Sequence, residues 1–144
     1  MLHSTVRAFK EVYKQNKNEE LWSFIEECYK KTFTLNDLPF LFEKICSKEL
    51  ENQHWGAIGL MMILESEDNM PILESNIVPC LIEFLDKDDF PCLQFESLEI
   101  LNFATWNEQH IQSIVDKGGV FLLIKTLDSK HPELVEQVRI LYKF

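Results

Sequence analysis

The side chains able to do chemistry are few and scattered. His3, His54, His110 and His131 are widely spaced, with no His or Cys three or four residues on, so no metal site is expected. Cys28, Cys46, Cys80 and Cys92 form no Cys-x-x-Cys pair. Cys46 and His54 lie one turn and a loop apart, but a thiol and an imidazole without a third, orienting group make a poor nucleophile. Lys117-Gly118-Gly119-Val120 lacks the Lys-Ser/Thr continuation of a phosphate loop. Glu65-Ser66-Glu67-Asp68 and Asp86-Lys87-Asp88-Asp89 read as charged turns. Neither catalysis nor a cofactor is expected.

Composition narrows the partners. The 144 residues suit one domain with a core of its own, at 46% hydrophobic and 26% charged. A net charge of −10 argues against nucleic acid and anionic membrane, because phosphate binding needs clustered Lys and Arg. Such an excess serves solubility or attracts a basic peptide or protein. No secretory leader is expected in "MLHSTVRAFKEVYK", and the longest apolar run, Ala57 to Leu64, is far short of the roughly 20 residues that span a bilayer. The four cysteines sit in apolar runs and read as small core residues in a reducing compartment, cytoplasmic or nuclear.

The elements that would position a binding surface repeat. "NDLPFLFEKICSKE" (36–49), "SNIVPCLIEFLDKDD" (75–89) and "KGGVFLLIKTLDSKH" (117–131) share one pattern, with Pro39, Pro79 and Phe121 in equivalent places about 40 residues apart. A second helix follows each, from residues 52, 93 and 134. A third helical element precedes the next repeat, at "PILESNIV" (71–78) and "HIQSIVDKGG" (110–119). Two or three helices per 40 to 47 residues is the period of the HEAT and armadillo solenoids, whose units stack because one alone cannot bury its apolar faces. The expected fold is all-α: an armadillo superhelix of about three repeats (35–76, 77–118 and an incomplete 119–144) behind an N-terminal helical hairpin, 1–34. In that hairpin Val6, Phe9, Val12 and Tyr13 share one face, and Leu21, Trp22, Ile25, Cys28 and Tyr29 another, so it should cap the stack. Asn18 suits its second helix as N-cap, with Glu19 and Glu20 in the first turn and Lys30 and Lys31 in the last. At the other end Ile140, Leu141 and Phe144 would border an unfinished surface, which implies either a homodimer contact or marginal stability.

The repeats carry a resemblance. "VPCLIEFLDKDDFPCLQFES", "NEQHIQSIVDKGGV" and "VEQVRIL" are similar, in order and spacing, to the first armadillo repeats of the importin α (karyopherin α) family, which binds nuclear localisation signals. The likeness covers residues 35–144. It implies a groove in which each inner helix presents a Trp and, four residues on, an Asn. The Asn would clamp an extended peptide backbone and the Trp rings would sandwich lysine stems. Aligning Leu93-Gln94-Phe95-Glu96 without a gap puts Glu99 at the Trp place and Phe103 at the Asn place. A shift of one recovers Asn102 but puts Leu98 where the Trp belongs. The equivalents are Ile140 and Phe144 in the third unit and Ile58 and Met62 in the first. Asp116 falls where the family supplies an acid to the principal lysine pocket. Trp106 has no counterpart; it reads as a ring replacing the lost one or as packing on the next repeat. Residues 1–34 hold only Arg7 and scattered lysines, unlike the basic importin-β-binding segment of the family.

The expected function is therefore an importin-α-like adaptor for a protein or peptide partner, basic localisation signals among them, with Asp116, Glu99, Asn102, Phe103 and Trp106 as peptide-binding residues. The alternative is an assembly module that pairs through its C-terminal end and reads no signal.

Overall fold

The computed structural model describes residues 4–66 and 73–141, whose regular elements are all helices, with no strand among them. The order is α1 (Ser4–Arg7), α2 (Lys10–Gln15), α3 (Glu19–Tyr29), a 3-10 turn (Leu35–Asp37), α4 (Leu38–Ile45), α5 (Leu50–Ser66), α6 (Ile77–Phe84), α7 (Pro91–Ala104), α8 (Glu108–Asp116), α9 (Gly119–Thr126) and α10 (Pro132–Leu141). Local chemistry marks several starts. The Thr34 backbone N–H donates to the Asp37 carboxylate at 2.8 Å ahead of α4, and Pro91 opens α7, where a missing N–H costs nothing. Asn107 caps α8, its Oδ1 accepting from the Gln109 N–H at 2.8 Å. Asn18 does precede α3, but its side chain makes no capping bond.

Helices α5 and α7 are buried along most of their length, polar residues such as His54, Gln94 and Glu96 included, as helices enclosed on several sides must be. They lie side by side, and α10 lies beside α7. On one flank, α4 packs on α5 and α6 on α7, with α4 also touching α6 and α8 packing between α6 and α9. The α4–α5 contact is very close. A Cβ on Gly56 would stand 2.7 Å from the Ile45 nitrogen and 2.8 Å from the Leu41 oxygen, and one on Gly59 2.6 Å from Leu41 Cδ2. Only glycine permits that approach. Gly118, at φ 78°, turns the chain from α8 into α9 in the left-handed region.

One expected helix is missing. Leu73 to Asn76 form coil and a turn, with the Ile77 N–H reaching the Glu74 oxygen at 3.2 Å, and Ile77 and Val78 already belong to α6. Pro71 and Ile72 lie outside the described residues. Helix α5 runs on to Ser66, so Glu65 and Ser66, read as part of a charged turn, are helical.

The N-terminal helices reach across all three units. The Phe9 ring lies 5.9 Å from that of Phe95 in α7 and 5.6 Å, edge-on, from His131 before α10. Tyr13 packs on Trp22, His54 and Phe90 at 5.4–6.0 Å. A buried relay runs through it. The His54 ring bonds the Leu50 carbonyl through Nδ1 at 2.7 Å and the Tyr13 hydroxyl through Nε2 at 2.9 Å, and that hydroxyl oxygen accepts the Cys92 N–H at 3.1 Å. The relay is consistent if Nδ1 carries the proton and Tyr13 donates to Nε2. It satisfies one of the backbone N–H groups left over at the start of α7. Val6, Phe9 and Tyr13 are buried throughout.

Candidate functional site

The resemblance would place a bound peptide along one face of α7, and that face is largely taken. Cys92, Phe95, Glu96 and Glu99 follow one another at helical spacing. Cys92 meets Tyr13 through its N–H and the Tyr29 hydroxyl through its sulfur, at 3.6 Å. Phe95 meets Phe9. Glu96 and Glu99 line a cleft of about 170 Å³ whose other walls include Val6, Tyr29, Met61, Met62 and Glu65. The chain's own N-terminal residues thus cover the first turns of this helix.

The cleft is acidic, lined by Glu65, Glu96 and Glu99, with Glu96 buried and Glu65 exposed at its edge. Burial pushes the Glu96 carboxyl well above the usual range, and the nearby charge of Glu99 and a hydrogen bond to it push the same way. The protonated form of Glu96 is thus favoured beside Glu99. The Tyr29 hydroxyl is raised by its own burial and by Cys92 and Glu96.

The last turn of α7 is different. Asn102 and Phe103 are half-buried, and the Asn102 carbonyl accepts the Thr105 hydroxyl at 2.7 Å. The Phe103 ring lies 6.2 Å from Trp106, tilted by 38°. Trp106 is 73% exposed. It stands beside Phe103 with a face open to solvent, rather than packing on the next unit. Asp116 ends α8, exposed, its Oδ1 accepting the Gln112 side-chain amide at 2.8 Å. The structure thus groups Phe103 with Trp106 and Glu99 with Glu96, and puts Asp116 on another helix. Of the other groove equivalents, Ile58 is buried, Met62 lines the acidic cleft, and Phe144 lies outside the described residues.

Trp55 in α5 is a feature that sequence reasoning passed over. Its ring takes the Lys44 ammonium at 5.1 Å and the Lys31 ammonium at 5.8 Å, with Phe40 and Phe24 edge-on at 5.1 and 6.0 Å. The chain's own lysines occupy the one aromatic platform of α5. Residues 31, 44 and 55 have no fixed spacing that could have announced this.

The sequence is similar to known proteins. The chain is 33% identical over 106 residues to Importin subunit alpha-3 of Arabidopsis thaliana, 71% of this chain and 20% of that protein. This is an importin-α-like armadillo chain. Importin subunit alpha-6 of the same plant is 32% identical over 107 residues, and Importin subunit alpha-1a of Oryza sativa subsp. japonica 30% over 107, each covering 72% of this chain and 20% of the relative. The chain thus spans about a fifth of the length of the importin α subunits it matches. No protein-family model matches it, and no solved structure does. The helical stack of the described residues agrees with an armadillo solenoid. No described helix is long and apolar enough to cross a membrane.

Proposed function

We propose that this chain is an adaptor of the importin α type, which takes up an extended, basic segment of a protein partner in import to the nucleus. The observation that carries this reading is the kinship with importin α subunits, which covers about 71% of the chain. The net charge of −10 favours a lysine-rich segment. The segment would engage the uncovered last turn of α7, with Trp106 and Phe103 against lysine stems, Asn102 on the peptide backbone and Asp116 receiving an ammonium group. Glu99 would add long-range attraction from within its cleft.

Fluorescence polarisation with a labelled lysine-rich localisation peptide, at low and physiological salt, tests this. Saturable binding should survive physiological salt. Trp106→Ala and Asp116→Ala should each weaken it roughly two- to fivefold, the equivalent of about 0.5–1 kcal/mol for an exposed charge-directed contact. Binding that vanishes with salt, or that ignores both changes, would reduce the attraction to diffuse charge and sink the proposal.

A second reading, pairing of two copies, has its own support. Ile111, Val115, Val120 and Leu141 line an apolar cleft of about 200 Å³, and Val115 is 52% exposed. Sedimentation at rising concentration should then reveal a dimer that Val115→Asp dissociates. A wild type that stays monomeric would dismiss it.

A further inference from the structure

Two of the four cysteines are not core residues. Cys28 and Cys92 are buried, whereas Cys46 is exposed and Cys80 half-buried. Cys46 follows the last residue of α4, and Cys80 is the fourth residue of α6, so they belong to successive units of the stack. Their sulfurs stand 3.2 Å apart, Cys80 donating toward Cys46. Asn76 closes the group, its carbonyl accepting from Cys80 at 3.6 Å and its side-chain amide donating to Cys46 at 3.9 Å. An approach of about 1.2 Å would bring the sulfurs to bonding distance. Cys46, in the short link from α4 to α5, is well placed to make it.

The geometry points to a modification site: Cys46 and Cys80 are a dithiol that small disulfides of the glutathione class oxidise reversibly to a bond joining α4 to α6. Cys46, the exposed sulfur, gives its proton to solvent and attacks one sulfur of the oxidant. A mixed disulfide forms on Cys46 and one small thiolate leaves. Cys80 then gives its proton to solvent, attacks the Cys46 sulfur and expels the second small thiol. Two protein thiols have lost two electrons and two protons, and one small disulfide has become two thiols. The order follows from the surroundings. Burial, then the hydrogen bond to Cys46, push the Cys80 thiol up to about 12, which makes it the resolving sulfur rather than the first to react. The bond would fix the step between the first and second units and so stiffen the stack. Exposed disulfides of this kind are the reducible, regulatory ones.

The test is incubation of the native chain with oxidised glutathione, followed by intact mass, a count of accessible thiols and thermal melting. Two accessible thiols should disappear, the mass should fall by two hydrogen atoms with the chain unchanged in size, and Tm should rise by roughly 5–15 °C. Dithiothreitol should reverse all three. Cys80→Ser should instead retain one glutathione on Cys46, and Cys46→Ser should take up little, neither with a comparable rise in Tm. A wild type that retains bound glutathione, cross-links between chains, or keeps both thiols free would overturn the proposal. The wild-type mass alone decides the matter even if a serine variant folds poorly.

Discussion

Phe9→Ala should lower the unfolding free energy by about 3–5 kcal/mol and Tm by roughly 10–20 °C. Few residues outside the repeats should matter as much. Phe9 is 0% exposed and wedged between Phe95 and His131, so its removal leaves a void between the N-terminal helices and two successive units. The surrounding helices cannot close that void without shifting the stack. Arg7→Ala, on an exposed position of the same segment, should stay within about 0.5 kcal/mol. Chemical denaturation of the three proteins provides the comparison. If Phe9→Ala melts with the wild type, the N-terminal helices are not docked in solution, and the α7 face is open to ligands along its whole length.

Acidification should act through His54. Burial lowers this imidazole to about 4, with the charge of Lys87 adding to the effect and the bond to the Leu50 carbonyl opposing it. The unfolded chain takes up its proton near the ordinary 6.5, while the folded chain resists until about 4. Stability is therefore fully present above 6.5, is lost as pH falls from there toward 4, and changes little from this source below that. The loss amounts to about 3 kcal/mol. Protonation would also put a second donor on Nε2, facing a Tyr13 hydroxyl that already donates to it. Glu96 works in the opposite direction. Its folded carboxyl is raised, so its contribution is complete below the unfolded value and is lost as pH rises through the folded one. Urea midpoints from pH 7 to 4 should fall more steeply in Glu96→Gln than in the wild type, and should flatten in His54→Gln. A His54→Gln profile parallel to the wild type would show that the ring is not buried in its neutral form.

The repeat was legible because stacking imposes the same apolar spacing on each unit, and α4, α6, α7, α9 and α10 all lie where that spacing put them. Its failures have local causes. The segment 71–78 resembled α8 in apolar content, but its Ile77 and Val78 open α6, which leaves Leu73 to Asn76 too short for a helix of their own. Cys46 shares the apolar spacing of Leu41, Phe42 and Ile45, yet it falls one residue past the end of α4 and so points out of the core. The candidate site was harder. Residue types could show that Glu99 and Phe103 replace a Trp and an Asn, which is a matter of alignment. They could not show that Val6, Phe9, Tyr13 and Tyr29 would lie against the same helix. A single apolar face says that a helix is buried, and nothing in its own pattern names the surface that buries it.

The reach of α1 and α2 across the stack also sets an order of events. In most solenoids each unit touches only its neighbours, so folding can begin anywhere and spread along the chain. Here Phe9 emerges from the ribosome early and must wait for His131, while Tyr13 waits for His54 and then Cys92. Until those partners are made, an apolar helix has no place to dock and is a target for chaperones or for misassembly. Once docked, it couples α5 and α7 to the start of α10, so these helices should come apart together rather than fraying one at a time.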